Sequence, residues 1–385
     1  MKILVYQPRA SYYTGGGEVY PLQNCKFFVK LGHDVTLLTT KSSFIKESDY
    51  FIKFKEENPL VKIVYLELDE NYKEIYERTP GMDWERWDEE SLWVSRLAYT
   101  YLLNNKFDIV AIHNVIDDLA VPDNVRHVLH LHGSPNEMNY ICKLILKKEK
   151  NLIAVSKNVR DKWTNIGVTN SIKICTNAID ENTFYWNKAK ERVNDILFVG
   201  RLIPIKGVDY IIEAMKMLKD EYNLDLKLSI IGQGPYFDTL KKLTKKLDLE
   251  SNVEFLGLVS NEKLIEMYQT SKIAVLPSFE KEGIMSTLLE AASCHTPSIT
   301  TRGTSMEEFA KNDLNALLVN PKDYKDIALK IYNLYTDTDL YNKIADNAYN
   351  EVLDKYTWFG KCRDIIKLYE DFKWEKFILN LHLQL

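Results

Sequence analysis

The residues best suited to chemistry lie in Gly200-Arg201-Leu202-Ile203-Pro204-Ile205-Lys206-Gly207, where two cations five positions apart follow an apolar run, Ile196 to Val199. An arginine offers a planar fork and a lysine a point charge. Both suit the oxygens of a diphosphate at the carboxyl end of a buried strand. Read alone, the pair is equally a set of solvated loop charges. A second stretch, Pro277 to Ala292, carries Glu280, Glu282, Ser286, Thr287 and Glu290. Glu282 and Glu290 are eight residues apart and would not share one helix face. The spacing fits Glu282 in a loop and Glu290 inside a helix that starts near Ser286 or Thr287, whose free N–H groups form an anion site. Capping by Thr287-Leu288-Leu289-Glu290 and simple solvation of Glu282 are the competing readings, and Glu280 is the acid most easily confused with Glu282.

Near the N-terminus, Gly15-Gly16-Gly17 allows close backbone approach to a ligand. The three glycines are contiguous, and Gly232-Gln233-Gly234-Pro235 is no closer to the GxGxxG spacing of a dinucleotide site, so a nicotinamide enzyme is disfavoured. His132 stands just past a strand with Gly133 behind it, and His113 ends the strand Ile109 to Ile112. A metal bound by His130 and His132 lacks a third ligand, and Asp337-Thr338-Asp339 reads as a turn between two helices. Trp84, Trp87 and Trp93 could line a groove for an acceptor or belong to the core. The stretch Lys143 to Lys150 is basic and partly apolar; an ordinary amphipathic helix competes with contact to anionic lipid head groups.

The elements that position these residues alternate. Lys2 to Tyr6, a glycine turn, a helix over Glu18 to Leu31 and a strand over Val35 to Leu38 form a βαβ unit with a parallel sheet. Further short strands occur at Ile109 to Ile112, Val128 to Leu131 and Leu152 to Val155. The pattern restarts at Ile196 to Val199 and continues through Leu226 to Ile231, Val253 to Leu256 and Ile273 to Leu276. The fold class is α/β, with two Rossmann-like doubly wound domains, 1–187 and 188–357, facing across a cleft. The joint falls in Asn182 to Asp195, and 358–385 reads as a helical tail.

A length of 385 residues fits two domains, and a formal net charge of −5 excludes bulk affinity for nucleic acid. No stretch approaches the ~20 apolar residues of a membrane span, and the short apolar run at Ile3 to Tyr6 is a strand rather than a secretory signal. Five scattered cysteines without a CxxC pair predict neither a zinc knuckle nor a disulfide framework, but a reduced, cytoplasmic protein.

Taken together, the segments resemble the GT-B glycosyltransferases, in particular the large retaining group called family 4. The likeness rests on Gly15 to Glu18, Leu31-Gly32-His33-Asp34-Val35, Phe107 to Asn114, Ala154 to Arg160 and Asn177 to Asp180. In the second half it rests on "FVGRLIPIKGVDYIIEAM", "IIGQGP", "VEFLG", "EKEGIMSTLLEAA" and "NALLV". The resemblance implies a metal-independent transfer, without cofactor, from a nucleotide-diphosphate sugar, UDP first, to a glycan, lipid-linked or small-molecule acceptor. The setting it implies is bacterial glycan assembly, in the cytoplasm or at the inner face of the membrane. It implies that the tail at 358–385 packs back on the first domain, and it also implies roles. Arg201 and Lys206 hold the diphosphate, and Gly16, Ser286 and Thr287 approach phosphate and sugar. Glu282 binds sugar hydroxyls, Glu290 binds ribose, Val259 lies by the base, and His132 stands at the reaction centre. The family's "EGFG" reads Glu282-Gly283-Ile284-Met285 here, its "NG" reads Asn177-Ala178, and Arg302-Gly303-Thr304-Ser305 replaces a frequent "GG" ahead of Glu308. These departures bear on the donor sugar. A sugar-nucleotide 2-epimerase or hydrolase of the same fold, and a non-catalytic sugar-nucleotide-binding subunit, are the alternatives.

Overall fold

The computed structural model describes residues 1–78, 84–133, 140–149, 151–279 and 286–372. Two compact units divide them. The first comprises Met1–Val155, Val159–Cys175 and the chain from Phe359; the second comprises Ser156–Asn158 and Thr176–Trp358.

The first unit is built on β1 (Lys2–Tyr6), β2 (Asp34–Lys41), β3 (Lys62–Glu67), β4 (Ile109–Ile112), β5 (His127–Leu131), β6 (Leu152–Ala154) and β7 (Ile172–Ile174). All pairs are parallel, in the order β3-β2-β1-β4-β5-β6-β7. Helices on both faces explain why β1, β4 and β5 are apolar runs rather than alternating ones: nearly every side chain in them is buried. Strand order reverses between β1 and β4. The loops after these two strands therefore diverge and leave a crevice at their carboxyl ends.

The helix Gly16–Lys30 follows β1 and carries Pro21 in its interior. Proline has no N–H to give the carbonyl four residues back. The Gly17 carbonyl instead accepts from the buried Gln7 Nε2 at 3.0 Å, so the side chain just past β1 replaces the missing helical bond. The helix Trp358–Asp371 lays Tyr369 against Phe28, ring centroids 5.8 Å apart, and Arg126 donates to the Tyr369 carbonyl.

The second unit holds β8 (Asn194–Val199), β9 (Leu228–Ile231), β10 (Val253–Gly257), β11 (Ser271–Leu276), β12 (Ser298–Thr301) and β13 (Leu317–Val319). These are also parallel, in the order β10-β9-β8-β11-β12-β13, with the reversal between β8 and β11. Ser260 caps the helix Asn261–Thr270, Asp323 caps Tyr324–Thr336 and Asp337 caps Thr338–Lys355. The Asp337–Asp339 pair is thus the start of a helix, where Asp337 Oδ1 accepts from the Leu340 N–H at 2.9 Å.

Arg192, just before β8, is a polar anchor. Its Nη1 donates to the carbonyls of Tyr268 and Ser271 and to Thr296 Oγ1, and its Nη2 donates to the carbonyls of Cys294 and His295. Those carbonyls close the helices Asn261–Thr270 and Ser286–Ser293, whose ends have no intrahelical donors of their own.

Candidate functional site

In the second unit the loop after β8 is fixed by its neighbours. Gly200 N–H bonds the Ile231 carbonyl at 3.0 Å, and Leu202 N–H bonds the Gln233 carbonyl at 2.8 Å. Two glycines make that approach feasible. A Cβ on Gly232, at φ 141°, would stand 1.8 Å from the Gly200 carbonyl oxygen, and one on Gly234 would stand 2.2 Å from that of Leu202. The glycines of "IIGQGP" are there because the arginine-bearing loop lies directly against them.

Arg201 is exposed beyond this clamp. Lys206 is buried to 8% exposure in the short turn Pro204–Lys206. Gly207 follows at φ 68°, where a Cβ would meet the Pro277 carbonyl oxygen at 2.8 Å. Phe279 N–H and Ser278 Oγ both bond the Ile205 carbonyl, at 3.1 and 3.2 Å. The loops after β8 and β11 are therefore one hydrogen-bonded assembly at the reversal point of the sheet.

Helix Ser286–Ser293 begins beyond the second loop. Ser286 is exposed at its first position, and Thr287 Oγ1 is buried without a hydrogen-bond partner among the described residues. Glu290 accepts a 2.8 Å bond from Tyr268 Oη. Burial pushes the Glu290 carboxyl up to about 7, and the Tyr268 bond offsets part of that rise. Thr287 already lies inside the helix, so the capping-box alternative for Glu290 gives way to a tyrosine-held carboxyl. Val259 packs with Leu256 on the cluster that contains Ala291 and Tyr268, the partner of that carboxyl. Glu282 and Glu280 lie outside the described residues.

Glu308, the third acid of the second domain, faces elsewhere. Its two oxygens accept from the N–H groups of Lys157 and Asn158, at 2.9 and 3.2 Å, capping the helix Lys157–Asn165.

In the first unit the carboxyl edge carries three imidazoles. His113 Nδ1 and His132 Nε2 are 2.9 Å apart, and the His113 and His130 rings stack with centroids at 4.6 Å. His130 Nε2 bonds Tyr369 Oη at 2.8 Å, and the Tyr20 ring lies within 6.0 Å of all three imidazoles. Burial lowers the His132 pKa to about 4 and drives His113 and His130 well below the usual range. All three rings are neutral at ordinary pH. His130 bonds the tail tyrosine rather than pairing with His132 as a ligand, while His132 bonds His113. Gly16 opens the helix after β1, and a methyl group on it or on Gly17 would meet no atom within 4 Å. That space is available to a ligand.

Sequence spacing concealed three partners: Tyr268 for Glu290, His113 for His132 and Tyr369 for His130. They are 22, 19 and 239 residues from the groups they hold. Only His113, at the end of an apolar strand, carried a local signal. Of the aromatic stretch, Trp93 is half-buried on the helix Trp84–Asn104, and the side chains of Trp84 and Trp87 lie outside the described residues. The basic helix Tyr140–Lys148 exposes Leu144, and its exposed Lys148 pairs with Asp123 at 2.7 Å. No helix among the described residues is long and apolar enough to cross a membrane. All five cysteines are buried free thiols.

Both halves match known families. Residues 14–183 match the model of Glycosyltransferase Family 4, and residues 180–351 match that of Glycosyl transferases group 1. An uncharacterized glycosyltransferase of Methanocaldococcus jannaschii is 30% identical over 57% of this chain, which spans 59% of that relative's length. The N-acetyl-alpha-D-glucosaminyl L-malate synthase of Bacillus anthracis is 22% identical over 93% of each chain. Among solved structures, Anabaena HepE in complex with UDP and glucose superposes with a TM-score of 0.74 at 17% identity, over 97% of this chain and 100% of that one, a likeness of fold. Parallel sheets of seven and six strands give the chain the two-domain α/β architecture of the GT-B fold, and each half matches a glycosyltransferase model.

Proposed function

We propose that the protein transfers a hexose-type sugar from a nucleoside diphosphate, UDP first, to an acceptor hydroxyl with retention of configuration. The second unit takes the donor and the first the acceptor, which is a glycan, a lipid-linked glycan or a small molecule. The observation that carries this reading is the clamped loop after β8, which presents Arg201 and Lys206 beside the loop after β11 and the helix bearing Glu290. The HepE structures with UDP and with UDP-glucose support UDP as the first nucleotide to try.

In this reading the bond from the sugar carbon to the phosphate oxygen breaks, and the acceptor oxygen bonds that carbon on the same face. The acceptor's proton passes to the leaving phosphate. Negative charge grows on the diphosphate, where Arg201, Lys206 and the amides at Ser286 and Thr287 stabilise it without reorganising, and no metal ion is needed. Glu282 holds sugar hydroxyls, Glu290 the ribose, and Val259 lines the base site. His132 offers a hydrogen bond beside the sugar; being neutral, it places no cation next to a carbon that becomes cation-like.

Arg201→Ala is expected to lower turnover about 10²–10³-fold while leaving the melting temperature unchanged. Unchanged transfer from UDP-, GDP- and ADP-sugars in that variant overturns the diphosphate assignment. A thermal-shift screen of the unmodified protein over the same donors names the nucleotide, since a ligand bound only by the folded state raises the melting temperature.

A further inference from the structure

At the opposite end of the first sheet, three side chains unrelated to the transfer reaction converge. Asp118 lies in the short helical turn Ile116–Ala120, His127 opens β5, and Glu149 follows the helix Tyr140–Lys148. Their ligand atoms all lie within 4.8 Å of one another. His127 Nε2 is 2.8 Å from Glu149 Oε2 and 3.4 Å from Asp118 Oδ1, and the three side chains are only 9 to 11% exposed.

The other nitrogen of the ring sets the tautomer. His127 Nδ1 is 2.8 Å from the Val125 carbonyl, which can only accept, so Nδ1 carries the proton. Burial opposes charge on the ring, but the Glu149 hydrogen bond and the two carboxylates push its pKa up to about 9, so without metal Nε2 carries a proton toward Glu149. A divalent ion displaces that proton and meets an Nε2 lone pair on a ring whose far N–H is tied to a carbonyl, as in metal-ligating histidines. Nε2 faces two carboxylates. Asp118 Oδ1 is buried and has no hydrogen-bond partner among the described residues. The neighbouring Lys148 ammonium is 71% exposed and is bonded to Asp123.

Two buried carboxylates need a positive charge between them; the protonated ring supplies one charge in the metal-free chain, and a divalent ion replaces that proton with two. A tetrahedral ion with bonds of about 2.0–2.1 Å sets its ligand atoms roughly 3.3 Å apart, and the two separations at Nε2 lie on either side of that value. We propose that Asp118, His127 and Glu149 bind one zinc-like divalent ion, with water in the fourth position, tying the turn after β4, the start of β5 and the end of the helix Tyr140–Lys148 together. His132 follows the far end of β5, about 16 Å away at ~3.3 Å per residue, so the ion is structural and takes no part in transfer. One imidazole and two carboxylates fit zinc better than magnesium, which favours oxygen ligands alone.

The test is equilibrium dialysis of the chelator-stripped, folded full-length protein against zinc, with metal quantified per chain. Stoichiometry of the folded protein is the readout because the buried thiols would capture zinc in an unfolded chain. One tight equivalent is expected, undisturbed by excess magnesium. His127→Gln, Glu149→Gln and Asp118→Asn should each weaken it at least tenfold, with the circular dichroism spectrum and Arg201-dependent transfer retained. If His127→Gln does not fold, Asp118→Asn, the most exposed of the three, decides the matter. An unmodified chain that takes up no tight equivalent overturns the proposal and leaves an imidazolium–carboxylate cluster. Variants that bind zinc as tightly as the unmodified chain overturn it too, by placing the ion elsewhere.

Discussion

The glycines at the carboxyl edges of the two sheets have opposite reasons for being glycine. In the first unit, Gly16 and Gly17 border empty space, and no neighbour resists a methyl group there. In the second, Gly232 and Gly234 have no space, because carbonyl oxygens of the loop after β8 stand where a Cβ would go. One edge keeps room for a ligand; the other spends its glycines on holding the cation-bearing loop rigid. A glycine beside a cation-bearing loop is therefore not by itself a ligand contact, and the distance to the nearest backbone atom separates the two cases.

Gly232→Ala should be the most damaging substitution that could break this contrast. A Cβ 1.8 Å from a backbone oxygen, at a φ that L side chains rarely adopt, must displace one of the two loops. Urea unfolding should show a loss of more than about 4 kcal/mol, and a loss under about 1 kcal/mol would mean that the loops yield freely.

Glu290 tests the second edge at intermediate size. Its folded pKa of about 7 lies above the ordinary 4.5, so the folded chain holds the proton more tightly than the unfolded one. Its contribution is complete below pH 4.5 and is lost as pH rises to about 7, a decline of about 3 kcal/mol over that window. Tyr268→Phe removes the bond that favours the ionised form, so the decline should grow larger and extend to higher pH. Denaturant melts at pH 4.5 and 7.5 check the sign; equal pH dependence in both proteins would show that Tyr268 does not hold the carboxyl.

Gly16→Ala should be the mildest for folding. At the first position of a helix with no neighbour within 4 Å, stability should change by less than about 0.5 kcal/mol. If the space belongs to a ligand, donor affinity or turnover falls while the melting temperature stays. Loss of stability in its place would erase the distinction between the two edges.

What could be read from the sequence divides along similar lines. Strand runs such as Ile109 to Ile112 and Ile196 to Val199 announce parallel, doubly covered sheets, because burial on both faces removes the alternation of an exposed strand. The loop from Gly200 to Gly207 could be read because its cations and glycines are adjacent in the chain. The link from His132 to His113, and from Glu290 to Tyr268, could not be read, since each joins residues brought side by side only by strand order. Arg192 sat in a polar stretch without a period, where a residue serving as a hub of carbonyl contacts looks like any linker charge. Glu308 shows the same limit: its motif is local, but the backbone N–H groups of Lys157 and Asn158 that its oxygens accept from lie 151 and 150 residues away in the chain.

The contacts of Arg192 bear on how the second unit can be cut out for separate expression. A fragment starting at the first residue of β8 would contain the whole sheet yet lack the arginine that bonds four chain carbonyls at two helix ends. Such a truncation should yield insoluble or molten material, whereas a boundary upstream of Arg192 keeps those ends sealed. Where this domain can be severed is decided by a side chain outside its regular elements.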